Sequence, residues 1–383
     1  MGEVVRYNYR LRPGANAEHA LESEWHRCRF LWNEAVFQWN SGKSPTLGRL
    51  SKLLTEARAR NQWLREGSQV AQQQVLRTFG QALESSFKVK NRGRPAYKGR
   101  KTALPSLGYT TRGFSIQDGQ LVLPKGVKIP VVWSRDLPSE PTSVRVFRDS
   151  LGHWYASFVV RREVEPARDA TVGVGIDWGV STTATATDPA YDQPHLGHRK
   201  RCAAELAKAQ RKMARRRKTK GFVPSKGYKR AKCEFAKLQK AAARRNQHES
   251  RMWARRVVDN HELIAVEDFH PKFLAKSTMA RKSADAAIGA AKRILVEYGV
   301  RAGRRVVLVQ PAYTTMTCAG CFARAKQRLA LDERIFRCHA CGLTSNRDRN
   351  AAGVILAVAE RGHTRVDDVR HWYPSFESDA GAV

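Results

Sequence analysis

With 383 residues the chain is too long for one ordinary core, and small disulfide-stapled scaffolds are excluded. Lys and Arg number 69 against 35 Asp and Glu, a formal net charge of +34, so the expected partner is a polyanion. A disordered basic tail is excluded too, because 42% hydrophobic residues, with nine Trp, ten Tyr and fourteen Phe, demand burial or stacking.

Residues 1–12 carry Glu3, Arg6, Arg10 and Arg12 without an apolar stretch, so no secretory signal is expected. No run approaches the roughly 18 apolar residues that span a bilayer, and the expectation is a cytoplasmic protein with no membrane partner. Residues 4–11 alternate as a strand, closed by Pro13 and Gly14. Between about residues 17 and 87 apolar side chains recur at helical spacing, from Leu21, Trp25 and Cys28 to Phe79, Leu83 and Phe87, which predicts three or four helices. Trp32, Trp39 and Trp63 are expected in their core. The basic segment 88–101, with Arg94 and Lys98, is either a linker that meets phosphate or a solvated loop.

From Leu104 to Arg162 the pattern changes to short alternating runs with turns at Asp118-Gly119 and Gly152, an antiparallel module that the first strand can join. Residues 171–177 and 181–188 then read as strands. Residues 199–256 hold 22 Lys or Arg and only three acids, Glu205, Glu234 and Glu249. This tract is predicted as two helices broken around Gly221, Pro224 and Gly227, and like charge at such density is costly without an anion to offset it. Residues 263–269 read as a strand ending in acids, 286–298 as a helix, 305–309 as a strand and 350–360 as a last helix. The alternation is α/β; the segment after Glu360 reads as a weakly ordered tail.

Four of the seven cysteines form two C-x2-C pairs, Cys318/Cys321 and Cys338/Cys341, while Cys28, Cys202 and Cys233 are scattered. Metal binding in a reducing compartment explains this better than disulfides. Four thiolates at that spacing make a closed tetrahedral Zn2+ site, structural because no position is left for water. Gly320 and Gly342 are expected to permit the tight turns, and His339 is a substitute ligand or a surface residue. Three acids stand at element ends in an otherwise basic chain: Asp177, Glu267 and Asp348. Converging carboxylates of this kind can hold two Mg2+ ions and hydrolyse a phosphodiester.

Residues 174–180 (Val-Gly-Ile-Asp-Trp-Gly-Val), 264–269 (Ile-Ala-Val-Glu-Asp-Phe) and 346–352 (Asn-Arg-Asp-Arg-Asn-Ala-Ala) resemble the three split motifs of a RuvC-type nuclease, with the cysteine pairs between the second and third. That order resembles the TnpB family of transposon-encoded RNA-guided DNA nucleases and the small type V CRISPR effectors related to it. Residues 313–318 and 93–98 are similar to further family stretches. One departure is Phe322, which follows Cys321 where the family usually has glycine.

The resemblance implies a multidomain α+β protein. A wedge β-barrel (1–14 and 103–168) is interrupted by a helical recognition domain and basic linker (15–102). A RuvC nuclease domain with an RNase H-like α/β fold (169–310 and 345–360) contains the basic helical insertion (199–256). A zinc ribbon that binds target nucleic acid (311–344) and a flexible tail (361–383) complete the chain. It further implies guide-RNA-directed cutting of DNA beside a short flanking motif, with Asp177, Glu267 and Asp348 as the catalytic, Mg2+-holding residues. The expected partners are a guide RNA, double-stranded target DNA and its displaced strand, with one monomer per guide. Arg94, Lys98, Arg211, Arg215, Arg216, Arg217, Lys218, Lys229, Arg230, Arg244 and Arg245 are the expected nucleic-acid contacts. Arg347 is either a further contact, to the scissile phosphate, or a structural ion pair. A compact CRISPR effector, a non-cutting RNA-guided repressor and a zinc-ribbon RNA-binding protein are the alternatives.

Overall fold

The computed structural model describes residues 2–43, 46–90, 92–100, 102–163, 169–217, 224–270, 277–327, 329–330 and 333–370. The chain divides into two units, Met1–Glu163 and Val164–Val383.

In the first unit, strand β1 (Gly2–Leu11) turns Val5, Tyr9 and Leu11 inward at the two-residue period of a half-buried strand. Six more strands follow much later in the chain: β2 (Ser106–Thr110), β3 (Ser115–Gln117), β4 (Gln120–Leu123), β5 (Val127–Val132), β6 (Ser143–Arg148) and β7 (Trp154–Glu163). They form one antiparallel sheet of order β2-β6-β7-β1-β5-β4-β3, so the first strand lies inside the sheet between partners more than a hundred residues away. The β3–β4 hairpin turns on Asp118 and Gly119, both with positive φ as a two-residue primed turn requires.

Between β1 and β2 run α1 (Ala15–Asn40), α2 (Leu47–Arg60), α3 (Gln62–Arg65) and α4 (Gln69–Lys88), the last three capped by Thr46, Asn61 and Ser68 side chains. The stripe Leu21, Trp25, Cys28, Trp32 and Val36 packs into the same apolar core as the sheet. Trp32 is buried, whereas Trp63 is 38% exposed, its ring edge-on to Phe30 and under the Arg27 guanidinium. The expectation that Trp63 is core is therefore corrected.

The second unit is built on a five-stranded sheet of order β10-β9-β8-β11-β12, comprising β8 (Gly173–Trp178), β9 (Thr182–Ala186), β10 (Gln193–Pro194), β11 (Leu263–Glu267) and β12 (Arg305–Val309). β8, β11 and β12 are parallel, and β9 and β10 are antiparallel additions. On one face Val174, Ile176, Ile264 and Val266 pack against Trp253 and Val257 of α7 (Lys226–Asn260) and Ile288 and Leu295 of α9 (Ile288–Arg301). On the other, Ala265 and Val309 pack against Val354, Ile355 and Val358 of α10 (Arg347–Glu360). α10 approaches β8 so closely that a Cβ on Gly175 would meet the Ala352 carbonyl oxygen at 2.0 Å. Only glycine fits there.

Several expectations need correction. Gly227 does not break the basic tract: it lies inside α7, which starts after the Ser225 cap, and Gly221 falls outside the described residues. The tract's first part is α5 (His198–Arg201) and α6 (Ala203–Arg215). The helix expected at 286–298 is α9, and a separate short helix, α8 (Ala280–Ala286), precedes it across Ala287 at φ +54. The segment after Glu360 is not wholly a loose tail. α11 (Val366–Arg370) buries Val366 and Val369 in the α10 core, and the Gln310 amide donates to the Thr364 carbonyl. Residues 371–383 lie outside the described residues. Among the described residues no helix is long and apolar enough to cross a membrane.

Candidate active site and metal centre

The two-residue period of β8 and β11 decides where the acids go. Ile176 and Val266 face α7 and α9, so Asp177 shares the opposite face with Gly175, and Glu267 shares it with Ala265. Ile176 and Val266 are register partners on parallel strands, which makes Asp177 and Glu267 the next residues along each, at the carboxyl ends of adjacent strands. α10 brings in the third acid. Its first turn contains Asp348, and the Asn346 side chain caps the helix by accepting from the Asp348 and Arg349 amides at 3.0 and 3.2 Å. This corrects the helix start from Asn350 to Arg347 and puts Asp348 inside the helix, where a carboxylate is favoured by the amino-terminal dipole.

The electrostatics report the convergence. Asp177 is pushed well above the ordinary carboxyl range by burial and then by the charges of Glu267 and Asp348, against a smaller downward pull from Arg347. Burial likewise raises Glu267 to about 7, opposed by a hydrogen bond from the Trp178 backbone and by Lys292, and reinforced by Asp348 and Asp268. The Trp178 indole donates to the Glu267 carbonyl at 3.1 Å and so ties the two strand ends together, while Lys292 pairs with Asp268. Glu267 and Asp348 thus raise the proton affinity of buried Asp177, and Asp348 that of Glu267, a set of oxygen donors of the kind a hard divalent cation takes.

The four cysteines Cys318, Cys321, Cys338 and Cys341 also come together, with sulfur atoms all within 4.8 Å of one another. The Cys318–Cys341 and Cys321–Cys338 sulfurs are 3.6 and 3.5 Å apart. Tetrahedral thiolates about 2.3 Å from Zn2+ would be about 3.8 Å apart, so the donor set fits that metal. Burial lifts Cys318 to about 12. In Cys338 burial is outweighed by hydrogen bonds from the Cys341 and Ala340 backbone, which bring it to about 7.

The two knuckles share one hydrogen-bond plan. Phe322 and Gly342 amides donate to the Cys318 and Cys338 carbonyls at 3.0 Å, and the Cys318 and Cys338 amides donate to Ala323 and Leu343. Both turns need a left-handed residue after the second cysteine: Gly342 has φ +77 and Phe322 has φ +58. Gly320, in contrast, is not in that region. The phenyl ring of Phe322 is 2% exposed, packs into the α10 core and lies under the Arg361 guanidinium at 4.8 Å, contacts that offset the strain of a non-glycine residue. Strands β13 (Ile335–Arg337) and β14 (Thr344–Asn346) complete this segment as an antiparallel pair.

Arg347 is held as an ion pair, its Nε 3.4 Å from Asp348 and its Nη1 donating to Ala330 O at 3.0 Å. Arg211, Arg215, Arg216, Arg217, Lys229, Arg230, Arg244 and Arg245 are exposed on or beside α6 and α7, and Lys218 lies outside the described residues. Arg94 is exposed in the first unit, 5.8 Å over the Trp39 ring. Lys98 is half-buried. Its Nζ sits 3.4 Å over the Trp32 ring, its amide donates to Asn33, and burial lowers it to about 8. Sequence reading missed Asn346, Asn350, Trp178 and Lys292. An Asn directly before a helical run is a cap signal that identifies the first; the others are defined only by tertiary contact.

Two family profiles match the chain: "Probable transposase" (OrfB_IS605) over residues 157–278 and "Cas12f1-like, TNB domain" over 289–355. A Streptomyces pristinaespiralis protein named "Putative RNA-guided DNA endonuclease" is 30% identical, covering 97% of this chain and 93% of its own. An Escherichia coli K12 protein, "Putative RNA-guided DNA endonuclease InsQ", is 27% identical over 93% of this chain and 92% of its own. The mixed α/β fold is similar to a chain in a cryo-EM structure of a Cas12f1–sgRNA–target DNA complex, with TM-score 0.57 and 12% identity over 92% of this chain and 98% of that one.

Proposed function

The chain belongs to the RNA-guided DNA endonuclease family of its Streptomyces pristinaespiralis relative, and on that premise we propose that it cuts DNA selected by a guide RNA, by phosphodiester hydrolysis at Asp177, Glu267 and Asp348. The observation that carries this reading is that Asp177 and Glu267, buried at the carboxyl ends of adjacent parallel strands, both feel the charge of Asp348 from the first turn of α10. Two Mg2+ ions, when bound, supply the charge that activates water and steadies the leaving 3′ oxygen. Asp177 and Glu267 supply ligand oxygens from a rigid sheet, Asp348 from the first turn of α10. Trp178 and Lys292 hold Glu267 and its neighbour Asp268 in place.

The strand order of the second unit supports an RNase H-like nuclease domain, and the seven-stranded antiparallel sheet with its helical insertion supports a wedge barrel carrying a recognition domain. The two matching knuckles support a zinc ribbon with one structural Zn2+. Exposed Arg and Lys of α6 and α7 suit phosphate contacts that are indifferent to sequence, leaving base pairing to read the target. A compact type V effector is the second reading, favoured by the Cas12f1-like match over residues 289–355.

RNA co-purifying with the protein from its native locus tests the proposal. The expected reads map to the end of its own gene and the adjoining element boundary, and the RNA directs Mg2+-dependent cleavage of matching DNA. Repeat-spacer reads would instead support the effector, and no enriched RNA would overturn guidance altogether.

Cleavage should depend on pH in one direction. Glu267 must lose a proton to bind a cation, and its pKa is raised to about 7, so protons and metal compete below that value. At limiting Mg2+, cleavage should rise at least tenfold per unit between about pH 5.5 and 6.5, because Asp177, also raised, must ionise as well. Raising Mg2+ should move the midpoint down. A single-turnover profile that is flat from pH 5.5 to 8, or a midpoint indifferent to Mg2+, would contradict this site.

A further inference from the structure

Resting on the proposed nuclease reading, we infer that the cysteine-bound segment sets the position of the third catalytic carboxylate, and that Asn350 is the positioning residue that couples them. Asn350 is 2% exposed, one turn of α10 from its start. Its Oδ1 accepts from the Ala319 amide at 3.0 Å and its Nδ2 donates to the Thr317 carbonyl at 2.7 Å. Those two backbone groups flank Cys318, so one side chain grips the first knuckle on both sides of a metal-ligating residue.

The rest of the first turn is held by the same segment. Asn346 pairs with Ile335 as the last residue of β14 and is also the cap of α10, so a ribbon strand runs directly into the helix that carries Asp348. The Arg347 amide donates to Arg334 O at 2.8 Å, and Arg334 approaches Asp348 at 3.5 Å. Opposing these contacts, Arg349 makes a bidentate pair with Asp192 at 2.8 Å for each bond. Asp348 thus lies between one anchor on the sheet side and another on the cysteine side. Breaking the Asn350 anchor leaves the buried Thr317 carbonyl and the half-buried Ala319 amide without this partner, a cost that the helix turn relieves by moving. A displacement of about 1 Å is enough to cost roughly a hundredfold in rate at a site that depends on position.

Two variants of the full chain, assayed with guide and target, test this. Asn350→Ala removes the clasp. Gly353→Ala touches no hydrogen bond but adds a Cβ 2.9 Å from the Ala319 Cβ, so the knuckle and helix must part. Both should keep about one Zn per chain and target affinity within about twofold, yet lose tenfold or more in single-turnover cleavage. Both should also bind Mn2+ several-fold more weakly, read by electron paramagnetic resonance without DNA, a signal that a purely structural role would leave unchanged. Cleavage and Mn2+ binding within twofold of wild type in both variants would overturn the coupling. If Asn350→Ala loses zinc or does not fold, Gly353→Ala decides alone. A wild-type protein that does not cut at all refutes the nuclease reading instead, and the Mn2+ measurement then still judges the coupling.

Discussion

Replacing Asp177 with asparagine should abolish guided cleavage, by three orders of magnitude or more, while raising the melting temperature of the metal-free protein at pH 8. The first effect follows from removing a buried ligand oxygen where metal charge supplies several kcal/mol of transition-state stabilisation. The second follows from the sign of the electrostatics. A carboxyl whose folded pKa is raised favours folding while it is protonated. That contribution is complete below the ordinary carboxyl pKa and is lost as the pH climbs through the raised value.

Asp177 and Glu267 are both raised, chiefly by burial, so at pH 8 the wild type bears the cost of burying crowded charge. For Glu267 alone, going from its ordinary 4.5 to about 7 corresponds to roughly 3 kcal/mol. Asparagine has nearly the same shape and no charge. Target binding should change by less than about twofold, because the exposed Arg and Lys of α6 and α7 are untouched. Thermal unfolding in EDTA, cleavage and target affinity measured on one preparation separate the alternatives. A variant that is less stable and binds target poorly would assign Asp177 to the fold, not to the chemistry.

How legible this site was in the sequence depends on range. Asp177 and Glu267 end apolar strands whose period of two already puts the acids on one face, so pattern alone nearly places them. Asp348 stood out as an acid and by its resemblance to a motif, yet its helix was started three residues late. The apolar pattern begins at Ala351, whereas the capping side chain is Asn346. For Lys98 the charge suggests phosphate, while the aromatic cage of Trp25 and Trp32 around it is assembled from a helix more than sixty residues away. Phe322 looked like a defect in the first knuckle. Its left-handed backbone is tolerated because its ring is packed under α10, a contact invisible to any local pattern. α11 was read as tail because two valines among charged residues make too weak a period to register.

The second large effect should come from the four-cysteine site. Cys338→Ser is expected to lower zinc from about one per chain to near zero and to reduce cleavage far more than target affinity. The segment it belongs to has almost no core of its own: the buried side chains clustered there are Cys318, Phe336 and Cys338. So small a unit folds only when metal binding supplies the free energy, on the order of 10 kcal/mol for four-ligand zinc sites. Without the metal, like-oriented thiols no longer hold the two knuckles together, and the matched turns at Phe322 and Gly342 lose their register.

Hydrogen exchange should then show loss of protection at the amides of Phe322, Ala323, Gly342 and Leu343. Protection in β8 and β11 should persist, because their core against α7 and α9 is independent of the cysteines. The amide of Ala319 is the informative one, since it donates to Asn350. Its exposure together with a fall in cleavage would mean that α10 has lost its outer anchor along with the metal. Zinc loss with cleavage unchanged would show that the sheet-side contacts of Arg349 and Gly175 suffice to hold Asp348, and that the cysteines serve nucleic-acid contact alone.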